Sequence, residues 1–251
     1  MKPEQSDLIK RAEDLAERCD RQSIVTATGF LTPAEQYELT KWAERFPDSG
    51  LLLSGGQDGC ERQRAFFLPY WMPPEDFDRS EHIRVIRVEA FFGEPGHRDY
   101  LGAALGLGIQ REWLGDIRIL GTTAYIFCVP SVEKLLLDEL TKVGRVGVKT
   151  AACSLSDVPV PERKVKHVSF TVKSLRLDAV ASSMFGLSRT AAAELIRLGA
   201  ASLNYAPCDK ADAPVKEGDV ISLRGRGKGV LTEIGGRSRK DRLFVSAEIY
   251  Q

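Results

Sequence analysis

The 251-residue chain is predicted to be an α+β protein of three small domains. Three observations predict this. Residues 80–155 alternate between period-two and helical hydrophobic patterns in the order β-α-β-β-α-β. Two short helical stripes followed by a strand occupy Leu175 to Asn204. Between them, Ser156-Asp157-Val158-Pro159-Val160-Pro161-Glu162 has the proline spacing of a stiff linker. The expected boundaries are an N-terminal α/β domain over 1–78, a second domain over 79–155, a linker over 156–166 and a third domain over 167–251.

Residues 1–45 read as helical. Leu8, Ala12, Leu15 and Ala16 share one face, and Thr32-Pro33 starts a second helix carrying Tyr37, Leu39 and Trp42. Leu51–Leu53 and Ala65–Leu68 are expected strands around the glycine-rich loop Gly55-Gly56-Gln57-Asp58-Gly59. No Gly-Lys-Ser/Thr and no helix follow that loop, so a hairpin connection fits it better than a phosphate cradle. Trp71-Met72-Pro73-Pro74 marks a boundary near residue 78.

In the second domain, strands are expected at His82–Ala90, Asp116–Leu120, Thr123–Val129 and Arg145–Ala152. Helices are expected at His97–Leu107 and Ser131–Val143. This order is the ferredoxin-like arrangement that RNA-recognition motifs also use. Tyr125 and Phe127 fall on one face of the third strand, where base stacking and ordinary sheet packing are both open readings. The first strand has no matching aromatic, and the Lys/Arg-Gly-Phe pattern is absent.

In the third domain, Leu177, Val180, Ala181 and Met184 form a buried stripe, Gly186 ends that helix and Ser188 caps the next. Ala192, Leu195, Ile196 and Gly199 repeat the buried spacing. Arg189, Ala193 and Arg197 lie four apart on an outward face. Guanidiniums bind phosphate through a planar fork, and Ser188 stands where helix-start N–H groups could meet an anion. Lys216 precedes the Gly218-Asp219 turn. Arg224-Gly225-Arg226-Gly227-Lys228-Gly229 alternates cations with glycines that would let a backbone approach. Arg237-Ser238-Arg239-Lys240-Asp241-Arg242 is a further basic turn before a closing strand over Leu243–Ile249.

Composition bounds the function. A 43% hydrophobic and 28% charged chain is that of an ordinary globular protein, with no apolar run of membrane-spanning length and no signal-peptide pattern. The net charge is zero, yet residues 163–251 hold 16 Lys+Arg against 9 Asp+Glu, a balance of +7 that leaves −7 for residues 1–162. A basic C-terminal third suits a polyanion partner. Cys19, Cys60, Cys128, Cys153 and Cys208 are scattered and unmatched to His82, His97 and His167, so no metal site, no disulfide framework and no cofactor is expected, and the expected location is cytoplasmic.

The order Arg176-Leu177-Asp178, Ser188-Arg189, Leu195-Ile196, Gly199 and a strand ending at Asn204 resembles the S-four RNA-binding domain, named after a ribosomal small-subunit protein, over about Phe170 to Leu231. The usual Val-Asn-Gly ending is replaced, since Tyr205 follows Asn204. With Gly96-His97-Arg98-Asp99-Tyr100-Leu101-Gly102, Leu107-Gly108-Ile109-Gln110-Arg111-Glu112 and Leu114-Gly115-Asp116-Ile117, residues 80–251 are similar to the YlmH family of bacterial and plastid RNA-binding proteins. The resemblance implies a monomeric, non-enzymatic protein on the large ribosomal subunit. It would bind ribosomal RNA and tRNA during rescue or quality control of stalled translation, with cell division and photosystem assembly as downstream effects. RNA contacts would fall on Arg176, Asp178 (orienting an arginine), Ser188, Arg189, Arg197, Asn204, Lys216, Arg224, Arg226 and Lys228. A second surface would use His97, Arg98, Arg111, Tyr125 and Phe127. For Arg98, Asp99 and Arg111, RNA docking and a carboxylate–guanidinium lock on the turn both stay open. Arg176-Leu177-Asp178 also resembles the catalytic Arg-Leu-Asp of pseudouridine synthases, but Ala179-Val180-Ala181 continue a helix instead of that family's Thr and Gly-Leu. The alternatives are therefore an RNA-modifying enzyme that uses the S-four domain as a targeting arm, or a protein scaffold.

Overall fold

A computed structural model describes residues 3–160 and 164–250. They form two compact units, Met1–Pro161 and Glu162–Gln251. The first unit opens with α1 (Pro3–Gln22), β1 (Thr26–Leu31), α2 (Pro33–Ala43), β2 (Leu51–Ser54) and β3 (Gln63–Phe67). β1 corrects the expectation that residues 1–45 are helical throughout. Ser23 takes a positive φ of 53° after α1, and the Thr26-Ala27-Thr28 alternation then buries the two threonines. Both facts favour a strand over a helix, because β-branched residues at period two suit a half-buried pleat. Thr32 starts α2 with a capping box: its N–H donates to Glu35 Oε2 at 2.6 Å while its Oγ1 accepts from the Glu35 N–H at 3.4 Å. The sheet order is β1-β3-β2, all antiparallel, and the glycine-rich loop joins β2 to β3.

The expected boundary near residue 78 lies within this unit, in a short 3-10 turn that Asp78 caps. Next come β4 (Arg84–Ala90), α3 (His97–Gly106), β5 (Leu114–Leu120), β6 (Thr123–Cys128), α4 (Pro130–Glu139), β7 (Lys142–Val143) and β8 (Val146–Cys153). Their sheet runs β5-β6-β4-β8-β7, the ferredoxin-like order with a short added edge. Ile86, Val88, Ala124 and Ile126 share a core with Tyr100 and Ala104 of α3 and Val132 and Leu136 of α4. α4 stops before the expected end at residue 143. Lys142 and Val143 pair instead with Gly147 and Val146 around Gly144, whose φ of 59° makes the tight turn.

The second unit contains β9 (Val165–Val172), α5 (Leu177–Met184), α6 (Arg189–Arg197), β10 (Ala201–Leu203), β11 (Ala206–Pro207), β12 (Val220–Leu223), β13 (Gly227–Arg237) and β14 (Leu243–Tyr250). One antiparallel sheet of order β11-β10-β12-β13-β14-β9 takes α5 and α6 on the face that carries Ile221, Leu223, Leu231, Val245 and Ala247. Val165 and Lys166, expected at the end of the linker, are instead the first residues of β9, opposite Tyr250 and Ile249. Asn204 and Tyr205 turn β10 into β11 with φ of 50° and 67°. Two consecutive positive φ values make a primed hairpin turn, and Tyr205 occupies a place that usually goes to glycine.

Gly229 of β13 is buried against α5. A Cβ there would stand 2.7 Å from the main-chain oxygen of Glu248 and 3.0 Å from Met184 Sδ. It therefore serves close packing and not the approach of a ligand backbone. Gly229→Ala is expected to destabilise the second unit by about 1–3 kcal/mol, the range for overpacking a tight core. Amide exchange in β13 and β14 measures this, since all three tryptophans (Trp42, Trp71 and Trp113) lie in the first unit.

Candidate nucleic-acid interface

Arg176 flanks the start of α5, where the Leu177 and Asp178 N–H groups donate to Ala213 O and Ala211 O at 2.9 Å. These bonds fix the first turn and leave the Asp178 side chain only 7% exposed. Its carboxylate accepts from Arg176 Nε and Nη2 at 3.2 and 3.3 Å, and from Arg189 Nε and Nη2 at 3.1 and 3.3 Å. One buried anion thus holds two guanidiniums, whose side chains stay 42% and 54% exposed. Each guanidinium commits two of its five donors and presents its remaining edge outward. Burial pushes the Asp178 pKa up, but the hydrogen bonds and charges of Arg176 and Arg189 outweigh it and leave the carboxyl below its ordinary value. A buried carboxylate held this way orients arginines; it has no open position from which to attack a base.

Ser188 caps the start of α6 by accepting the Ala191 N–H at 3.1 Å, which leaves its own O–H free to donate. Arg197 is exposed on the last turn, its Nε on the Ala193 carbonyl at 3.2 Å. Arg224 and Arg226 are exposed at the β12–β13 turn. The Arg224 N–H donates to Ala200 O at 2.8 Å, which ties that turn to the chain just after α6. Arg197 and the hairpin tip are thereby neighbours. The Lys228 ammonium stands 5.0 Å from the Tyr205 ring centroid and 5.6 Å from that of Tyr250. Lys216 is exposed at the turn before β12, its N–H on Asp219 Oδ2.

Asn204, an expected RNA contact, is tied into the fold through both ends of its amide. Its Nδ2 donates to the buried Asp219 at 2.9 Å and its Oδ1 accepts the Val220 N–H at 3.0 Å. Both ends of the amide pin the β10–β11 turn to the Gly218-Asp219 turn, so this is a structural asparagine.

The second expected surface is not one surface. His97 and Arg98 are exposed at the start of α3. Tyr125 lies on the opposite side of the sheet, in register with Arg87 and Arg118. Phe127 is fully buried and cannot stack on a base. The reason is Arg118, 9% exposed, whose guanidinium covers the Phe127 ring at 5.0 Å. Arg118 also donates to the Gln57 side chain and, at 3.2 Å, to Asp58 O, and so clamps the glycine-rich loop over that end of the sheet. Sequence reading missed Arg118 because its partners lie about sixty residues away. Arg111 does not pair with Glu112. It donates to Leu114 O at 2.6 Å, while Glu112 meets Arg11 at 3.6 Å. Asp99 caps its own helix through the Gly96 N–H at 2.8 Å.

Residues 74–157 match the family described as "Putative RNA-binding domain in YlmH", and residues 175–221 match the S4 domain. Over 221 residues the chain is 35% identical to "Ribosome-associated protein quality control protein P2" of Bacillus subtilis (strain 168), covering 88% of this chain and 86% of that protein. The chain belongs to the YlmH family. "Cell division protein ylmH from Streptococcus pneumoniae" is similar in fold, with a TM-score of 0.53 at 21% identity over 62% of this chain and 95% of that one. Among the described residues no helix is long and apolar enough to cross a membrane, and no group of three or more His, Cys, Asp or Glu could hold a metal.

In this YlmH-family chain the Asp178 clamp makes a stability prediction. Asp178→Ala removes four charge-assisted hydrogen bonds, and because both arginines are half-exposed the expected loss is about 1–2 kcal/mol. Amide exchange in α5 and α6 should accelerate by a factor of about 5–30. The sign with pH follows from the depressed carboxyl: the contribution is present above the unfolded-state pKa and is lost as pH falls through the folded one. Wild-type protection in these helices should therefore drop in acid towards that of the alanine variant, which itself should lose less.

Proposed function

We propose that this protein is a non-enzymatic RNA-binding protein that grips a structured RNA through α5, α6 and the β12–β13 hairpin tip. Arg176, Arg189, Arg197, Arg224 and Arg226 are the phosphate contacts, with Lys216 and Lys228 at the flanks. The observation that carries this reading is the pair of surface guanidiniums oriented by one buried carboxylate. Arginines held in place before binding lose less conformational freedom on meeting a phosphate backbone than free ones do. The basic balance of residues 163–251 and the family assignment support the same reading. The non-enzymatic part rests on Asp178, the one residue of a catalytic-looking motif, being committed to two arginines.

By analogy with the ribosome-associated quality-control relative, the RNA is ribosomal RNA together with tRNA on the large subunit, during rescue of stalled translation. The protein then works in the cytoplasm as a monomer.

Arg189→Ala is expected to weaken binding of ribosomal RNA and to reduce the slope of log affinity against log salt by about one, as removal of one phosphate contact does. A filter-binding titration at several salt concentrations measures both; unchanged affinity and slope would remove Arg189 from the interface. In sucrose gradients of cell lysate, the tagged protein should migrate with large subunits and the variant should shift to the top. Nucleosides of ribosomal RNA incubated with the protein should be unmodified by mass spectrometry, and a new modified base would overturn the non-enzymatic reading.

A further inference from the structure

Arg62 and Arg111 stand side by side in the first unit, and among the described residues neither is in a direct ion pair. Arg62 Nε and Arg111 Nη1 donate to the same acceptor, the Leu114 carbonyl oxygen, at 3.2 and 2.6 Å. Arg62 Nη2 donates to Phe30 O at 2.5 Å, and Arg111 Nη1 also reaches Gly115 O at 3.5 Å. Among the described residues neither guanidinium forms an ion pair. The carboxylates nearby are engaged elsewhere. Glu35 closes the α2 capping box, Glu112 meets Arg11, and Asp116 accepts the Glu61 and Arg62 main-chain N–H groups at 2.7 and 2.9 Å.

This arrangement is electrostatically incomplete. Burial lowers the pKa of both arginines, and for Arg111 the adjacent Arg62 charge lowers it further; the charges of Glu35, Asp116 and Glu61 on Arg62, and of Asp116 on Arg111, offset this only in part. Main-chain carbonyls offer partial charges where a full negative charge would be matched. The pair lines a cavity of about 540 Å³ whose wall also carries Arg11, Gln110 and the carboxylates of Asp7, Glu35 and Glu112. That volume is in the range of small-molecule sites and exceeds the needs of a bare ion. The wall is closely packed on itself. β1 has a bulge between Ala27 and Phe30, and Gly29 lies so near the 110–112 turn that a Cβ would be 2.6 Å from Glu112 O.

We propose that this cavity is a nucleotide-phosphate site, with the phosphate held between the guanidiniums of Arg62 and Arg111 and with Arg11, once drawn from Glu112, as a third cation. Two planar forks converging on one anion suit the several oxygens of a phosphate group. The ligand is either a free mononucleotide or the 5′-phosphorylated end of an RNA strand. The strand-end assignment rests on the RNA-binding reading above; the anion site does not.

The test is a titration of the ¹⁵N-labelled full chain, following arginine Nε–Hε resonances. The probes are inorganic phosphate, adenosine 5′-monophosphate, and an RNA tetranucleotide with and without a 5′-phosphate. Saturable shifts of the Arg62 and Arg111 signals are expected with every phosphate-terminated probe. Arg111→Gln should weaken them about tenfold or more, the equivalent of one strong charge-assisted contact. Arg11→Gln, which releases no main-chain group, should weaken them in the same direction in a folded protein. Tighter binding of the 5′-phosphorylated tetranucleotide than of the mononucleotide identifies a strand end, and equal binding identifies a free nucleotide. Absence of saturation in a protein with an intact spectrum, or saturation indifferent to both substitutions, would overturn the site. Because inorganic phosphate needs no RNA, this outcome is independent of whether α5 and α6 bind structured RNA.

Discussion

The buried carboxylate of Asp178 is the constraint on which the second unit's surface depends. A carboxylate inside a protein must be paired, and here the pairing is used to aim two arginines outward. The main chain makes that possible. The Leu177 and Asp178 N–H groups bond the 211–213 segment, the Ser188 cap fixes where Arg189 begins α6, and Gly186 with a φ of 66° joins the two helices in four residues. Each of these is a local choice whose effect is to bring two arginines thirteen apart in sequence onto one carboxylate. The sheet beneath is closely packed on α5: a Cβ at Gly229 would stand 3.0 Å from Met184 Sδ.

The first unit shows why a shared topology does not carry a shared function. Its β4–β8 sheet has the order that RNA-recognition motifs have, but one end of the face those motifs use is closed. Arg118 reaches from β5 to the glycine-rich loop and across Phe127, so an aromatic that could have been a stacking platform is a core residue. Arg62 and Arg111, like Arg64 and Arg118 in no ion pair among the described residues, stand together at the bulged end of the three-stranded sheet. The family model covers Arg111 but not Arg62.

How much was legible in the sequence follows from the range of each interaction. Local signals were readable: the Thr32-Pro33 start of α2, the Ser188 cap, the glycine stop at Gly186 and the βαββαβ order all depend on neighbours in the chain. β1 was missed because Ile24–Leu31 is flanked by two clear helices, although the Thr-Ala-Thr alternation was there to be read. The bond from Asn204 to Asp219, fifteen residues on, is visible only in the fold. The orienting role of Asp178 was foreseeable from an unpaired acidic residue in a basic motif. The Arg118 clamp and the Arg62–Arg111 pair were not, since their partners lie about fifty to sixty residues apart and no periodicity encodes them.

The most direct measurement is ultraviolet cross-linking of the full-length protein to the RNA that co-purifies with it, followed by mass spectrometry of the peptide adducts. Adducts concentrated between Arg176 and Ala200 and on the 224–228 hairpin tip are the expected result, because those backbones lie along the oriented arginines. Adducts absent from both segments and confined to the exposed face of β9 and β14, or to the first unit alone, would contradict the assignment of the α5–α6 face as the RNA grip.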